Sequence, residues 1–154
     1  MTRIDPKNVG VRRGSAYPAP FDEPCRERSR QRLGEAAGLT DFGVNLLRLA
    51  PGSWSSQRHW HAAEDEFIYV LEGEVVLVTD AGEERLRAGD CAGFKAGVAD
   101  AHHLRNLSDR EAVVLEVGSR KSEADAVEYP DIDLCLPKGA SVYHHTDGRP
   151  YGKE

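Results

Sequence analysis

Between residues 42 and 120 the chain is cut into short runs rich in Val, Leu, Ile, Tyr and Phe, each closed by residues that turn the backbone. The runs are FGVNLLRLAPG, EFIYVLEG, EVVLVTDAG, EERLRAGD, HHLRNLSD and EAVVLEVGSR. They break at Pro51-Gly52, Glu72-Gly73, Asp80-Ala81-Gly82, Gly89-Asp90 and Ser108-Asp109. Gly and Asp supply backbone geometries there that other residues resist. Many short strands at this spacing predict an all-β domain, built as an antiparallel barrel or sandwich.

The flanks read differently. In residues 1–41, Pro18, Pro20 and Pro24 break regular structure, and CRERSRQRLGEAAG predicts one short polar helix ending near Gly38. This segment is expected to pack on the barrel as a lead-in. Residues 121–154 hold one weak strand candidate, around 132–136, and are expected to form a tail that completes or caps the same domain. At 154 residues, 40% of them hydrophobic, the chain has the size of one compact domain with a modest core.

Charge narrows the partners. Net charge is −6, and the Lys and Arg residues are interspersed with acids, so no basic stripe is available for nucleic acid. No apolar run is long enough to cross a bilayer and none follows the N-terminal arginines, so no membrane partner is expected and a cytoplasmic location is. Cys25, Cys91 and Cys135 are odd in number and lack CxxC pairing, which predicts reduced structural thiols.

The chemistry concentrates in RHWHAAEDEFIYVLEG, residues 58–73. Side chains alternate along a strand, so His59 and His61 share a face with Gln57 while Trp60 takes the other. Two imidazoles roughly 7 Å apart along a strand can lean onto one ion. A carboxylate from Glu64, Asp65 or Glu66, beyond the bend, supplies a third ligand, and AHHLRN offers His102 or His103 as a fourth. Three histidines and one carboxylate leave two positions of an octahedral ion open for substrate or oxygen. His144 and His145 lie in a turn-like tail, and Asp131 and Asp133 sit beside Pro130 at a solvated strand start, so neither pair is expected to bind metal. Trp54, Trp60 and Phe94 read as packing residues.

GSWSSQRHWHAAEDEFIYVLEG resembles the first motif of the cupin superfamily, with Gly52, His59, His61, Glu66 and Gly73 at the motif positions and one extra residue after Gly52. GDCAGFKAGVADAHHLRN is similar to the second motif, matched by Gly89, Gly97, His102 and Asn106. Lys95 stands where the family usually has proline, and Asp100-Ala101 lengthens the gap before the histidine. The six-residue gap to Gly73 selects Glu66. The three-residue gap to Asn106 selects His102, as does alternation, which places His102 with Leu104 and His103 with charged Arg105. Glu64 is left as a solvated or hydrogen-bonding neighbour. The resemblance, to small single-domain bacterial cupins, implies a jelly-roll barrel around one divalent transition ion (Fe, Mn, Ni or Zn) held by His59, His61, Glu66 and His102.

The resemblance implies a metal-dependent enzyme acting on a small organic molecule, dioxygenase-like, with Gln57, Ile68 and Leu104 shaping the pocket. No general base is placed. Two alternatives stand beside it, a non-catalytic binding or sensing cupin and a sugar-phosphate isomerase. The isomerase needs a cationic phosphate site, for which Lys95, Arg58 and Arg105 are the candidates, although alternation turns both arginines away from the metal face. A homodimer is the family's usual assembly, and exposed strand edges favour it.

Overall fold

The structure, a computed structural model, describes residues 3–152. Its strands are β1 (Val11–Arg13), β2 (Arg28–Arg32), β3 (Phe42–Leu49), β4 (Trp60–His61), β5 (Glu66–Glu72), β6 (Glu74–Thr79), β7 (Gly82–Arg87), β8 (Cys91–Phe94), β9 (His103–Arg105), β10 (Ala112–Ser119), β11 (Val127–Tyr129) and β12 (Leu134–Leu136). They form a six-stranded sheet in the order β1-β2-β3-β10-β5-β8 and two three-stranded sheets, β7-β6-β9 and β12-β11-β4. Every pairing is antiparallel. This is the all-β, antiparallel class that the broken apolar runs predict, consistent with the jelly roll that the motif resemblance implies. No helix among the described residues is long and apolar enough to cross a membrane.

The period of two along each run builds the core. In β5, Ile68 and Val70 are buried while Phe67, Tyr69 and Leu71 stay exposed. Leu47, Leu49, Val70 and Val114 of the large sheet meet Val75, Leu77, Leu86 and Leu104 of β6, β7 and β9 in one cluster, so two sheets close face to face. Gly73 makes the tight β5–β6 connection possible. Its φ is +73°, and a Cβ there would lie 2.9 Å from the Glu111 carbonyl oxygen. Asn106, fully buried, donates to the carbonyls of Leu49 and Arg110 and accepts from Ser108, which pins the β9–β10 loop to β3.

The expected polar helix over residues 25–38 is corrected. Glu23–Cys25 form a 3-10 turn, Arg28–Arg32 are strand β2, and only Leu33–Ala36 are helical, as α1. Pairing on both sides, with β1 and β3, overrides a helix-compatible composition. Alternation was hidden because both faces of β2 are polar: Arg28 and Arg30 oppose the inward Leu49 and Leu47, while Ser29 and Gln31 oppose Arg48 and Leu46.

The tail enters the architecture through β11, where Val127 pairs with His61 and Glu128 with Trp60. Val127, Tyr129 and Leu134 form a second small core, against which Tyr17 and Phe21 of the N-terminal segment pack. The two flanks thus meet each other beside β4.

Candidate metal centre

Three elements deliver four side chains to one point. His59 and His102 exchange backbone hydrogen bonds of 3.1 and 2.9 Å, which sets their rings on adjacent chains. His61 lies on β4, held between β11 and the Gly97 amide, which donates to the His61 carbonyl at 2.8 Å. Glu66 opens β5 between β10 and β8. Its Oε2 lies 2.8 Å from His102 Nε2 and 3.5 Å from His59 Nε2, and its Oε1 lies 3.6 Å from His61 Nε2. The donor atoms of His59, His61 and Glu66 all fall within 4.8 Å of one another.

The opposite ring nitrogens fix the tautomers. His59 Nδ1 donates to the Gln57 carbonyl at 2.8 Å, and His61 Nδ1 donates to Asp125 Oδ2 at 2.6 Å. Nε2 of each ring then faces the Glu66 oxygens, at 3.5 Å for His59 and 3.6 Å for His61. Two imidazole nitrogens and a carboxylate oxygen within 4.8 Å of one another make a donor set that a cation could bridge. Burial alone would raise the Glu66 pKa, but His102, His59 and His61 outweigh it and hold the group well below the usual carboxylate range, as an anion. His59, His61 and Glu66 form a donor set that could hold a metal ion, with His102 hydrogen-bonded to Glu66 beside them, and such an ion would supply Lewis-acid polarisation of a bound oxygen.

The surroundings hold these donors in place. Asp125 is buried, accepting from both His61 Nδ1 and the Ala63 amide at 2.8 Å, so it orients His61 as metal-bound imidazoles require. Phe94 stacks on His102 at 3.5 Å between centroids with a 4° interplanar angle. Lys95 occupies the turn where the motif usually has proline. There it pairs with Asp65 at 2.9 Å, and Asp65 also accepts from the Ala96 amide at 2.8 Å, so an ion pair and a backbone bond hold this turn.

The other candidates fall in distinct places. His103 is buried but turned away, donating from Nδ1 to the Ser56 carbonyl at 2.9 Å with its ring edge-on to Trp54. Burial pushes its pKa down to about 4, partly offset by that hydrogen bond. Glu64 accepts from the Lys121 amide at 2.6 Å with Oε1 and leaves Oε2 4.0 Å from His61 Nδ1. Ile68 and Leu104 line the main cavity, whereas Gln57 does not: its side chain donates to the Phe21 carbonyl, and it reaches the centre only through its own carbonyl. Arg58 pairs with Asp80 and Asp131, Arg105 with Glu83, and His145 with Asp133, all away from the centre.

The donors open onto a cavity of about 270 Å³. The barrel contributes His59, Glu66, Ile68, Phe94, His102, Leu104 and Arg120 to its wall, and the flanks contribute Tyr17, Arg28, Arg30 and Tyr143. A second cavity of about 220 Å³ lies against Trp60, His61 and Lys95, and Glu64, Glu66, Phe94 and His102 border both. Sequence reasoning did not find Asp125, Arg28, Arg30, Tyr17 or Tyr143. None sits at a motif spacing.

Residues 45–118 match the family described as Cupin domain. Among solved structures, a sugar phosphate isomerase from a cupin superfamily of Silicibacter pomeroyi is 41% identical, with 98% of this chain and 97% of that one covered and a TM-score of 0.92. A putative sugar phosphate isomerase of Acidithiobacillus ferrooxidans is 31% identical, covering 79% of this chain and 76% of that one with a TM-score of 0.72. The polyketide synthase CurC of Streptomyces cyaneus is 31% identical over 94 residues, 56% of this chain and 59% of that protein's length, so the match spans less than two thirds of that relative. Identity along nearly the full length of a solved cupin, and a domain match over the strands that carry the imidazoles, make this chain a member of the cupin superfamily in its small single-domain form.

Proposed function

We propose that the protein is a metal-dependent isomerase that interconverts the carbonyl and hydroxyl positions of a small sugar derivative, with the sugar phosphates named for two similar structures as the substrate class to test first. The observation that carries this reading is the position of Glu64. It borders both cavities beside the metal donors, with one oxygen bound to the Lys121 amide and the other free of a hydrogen-bond partner among the described residues. Isomerisation moves one proton between adjacent carbons and one from the hydroxyl oxygen to the carbonyl oxygen, and needs no external oxidant; Glu64 would serve the carbon-to-carbon transfer, and a bound ion would polarise the two oxygens between which the second proton passes. Glu64 takes the proton from the hydroxyl-bearing carbon and returns it to the neighbouring one. A cavity of about 270 Å³ lies at or below the lower end of ordinary small-molecule sites, roughly 300–1,000 Å³, so the substrate is compact. The oxygen-using reading rests on the donor set alone, and a binding or sensing role has no use for a poised carboxylate.

The test is a panel of three- to six-carbon sugar phosphates, followed by NMR with oxygen excluded, on protein loaded with Fe, Mn, Ni or Zn. Interconversion without oxygen is the expected result, and Glu64→Gln should lower kcat by about a hundredfold or more while keeping its metal. Turnover only with oxygen, or binding without turnover, would replace this reading by the dioxygenase or the binding module. In the same preparations His59→Ala and His61→Ala should each lose most bound metal by elemental analysis, and His103→Ala should retain it.

The functional unit is proposed to be a homodimer. The outer face of the large sheet carries two cross-strand apolar rows, Val44–Val117–Phe67 and Leu46–Leu115–Tyr69, continued by exposed Leu71. Neither row holds a charge, so two copies of this acidic chain can meet there without opposing like charges.

A further inference from the structure

We infer that Arg28 is the anion receptor of this cavity and pairs with a phosphate or carboxylate group on the substrate. This rests on the preceding reading only in taking the cavity as the substrate's. Arg28 is 7% exposed and comes from the inward face of β2. Its Nε donates to the Gly14 carbonyl at 3.0 Å, its Nη1 donates to the Ser55 carbonyl, and its Cζ lies 5.9 Å from the centroid of the Tyr17 ring. Those contacts lock the orientation of the fork and leave Nη2 without a hydrogen bond among the described residues. A guanidinium fixed in this way is organised to receive a planar or tetrahedral oxyanion.

Its charge is uncompensated. Among the described residues no carboxylate lies within ion-pair distance of Arg28, whereas buried charges are ordinarily paired. Of the acids lining the same cavity, Glu64 binds the Lys121 amide and makes no ion pair with Arg28, and Glu66 is surrounded by imidazoles. Glu116 is held bidentately by Arg30, at 2.7 and 2.8 Å. Burial and the like charge of Arg30 push the Arg28 pKa down, as expected for a cation short of its counter-ion. Tying two backbone carbonyls together needs only neutral donors and does not account for a full charge taken out of water. Arg120, the third cation on this wall after Arg28 and the paired Arg30, is half-exposed and lies 4.0 Å from Glu35.

Arg28 also lies outside residues 45–118, the span that matches the cupin domain. The barrel thus carries the metal donors and the N-terminal strand carries the group that selects the substrate.

Calorimetric titration of full-length, metal-loaded protein with glycerol 3-phosphate, glycerate and glycerol tests the assignment on one carbon skeleton. One of the two anions should bind and glycerol should not, and the anion that binds tells whether the group received is a phosphate or a carboxylate. Arg28→Met should weaken that binding at least tenfold at unchanged metal content, and Arg28→Lys by less. Equal affinity in wild type and Arg28→Met, binding of neither anion, or equal binding of glycerol would overturn the assignment. Should Arg28→Met fail to fold, the Arg28 Nε–H resonance of the wild type decides: a shift on adding the anion supports the pairing, and an unmoved signal overturns it. Arg28-dependent binding without isomerisation would remove only the isomerase reading, and isomerisation indifferent to Arg28→Met would remove only this one.

Discussion

At the scale of single residues, the centre is defined as much by the far side of each ring as by the side that faces Glu66. Asp125 takes the Nδ1 proton of His61 and the Gln57 carbonyl takes that of His59, so both rings enter the site as Nε2 donors. Asp125→Asn keeps the shape but replaces a carboxylate by an amide whose NH2 is able to donate to Nδ1 and select the other tautomer. Metal affinity should fall about 10–100-fold, measured by competition with a chelator of known affinity. An unchanged constant would show that Asp125 serves only to bind the Ala63 amide. The shared face of His59 and His61 was legible from strand alternation, and Glu66 was selected among three neighbouring acids by the motif spacing to Gly73. Asp125 was not, because it lies in the tail, brought beside His61 by the pairing of Val127 with that residue.

At the scale of elements, turns set the register that the donors need. Gly73 joins β5 to β6, with positive φ and a backbone carbonyl where a Cβ would stand. Gly73→Ala should destabilise the protein by about 1–3 kcal/mol or more, read as a lower denaturation midpoint. Gly10→Ala, with open space at its Cβ, should change stability little. Equal midpoints for the two variants would contradict the steric account. Turn residues are visible in a sequence because the conformational requirement is local. Strand β2 shows the opposite case: RSRQR carries no apolar alternation, and only the presence of β1 and β3 on either side makes it extended.

At the scale of the whole molecule, the large sheet has one face buried against β6, β7 and β9 and carries partly exposed apolar rows on the other, where α1 packs on β3 at Val44. Tyr69→Glu places a charge in the middle of the outer rows and touches neither the core nor the cavity. It should convert a dimer to a monomer in light scattering coupled to gel filtration, with the metal retained. A monomeric wild type, or a variant that stays dimeric, would discard this face as the interface. The N-terminal segment and the tail meet in their own small core of Tyr17, Phe21, Val127, Tyr129 and Leu134. That meeting carries Tyr17 and Tyr143 to the cavity wall beside the strand-borne Arg28 and Arg30.

The amino-acid order alone determined the strand-and-turn character of residues 42–120 and the donor types in two motifs, because both follow from short-range rules of alternation and turn geometry. Only the tertiary structure decided which polar groups from the flanks stand at the cavity, that Arg28 is buried there without a carboxylate, and that Asp125 backs His61. The physical reason is distance along the chain. Pairings between β2 and β3 and between β11 and β4 are set by how whole sheets satisfy their edges and bury their faces, and no local pattern in the flanks encodes those partners.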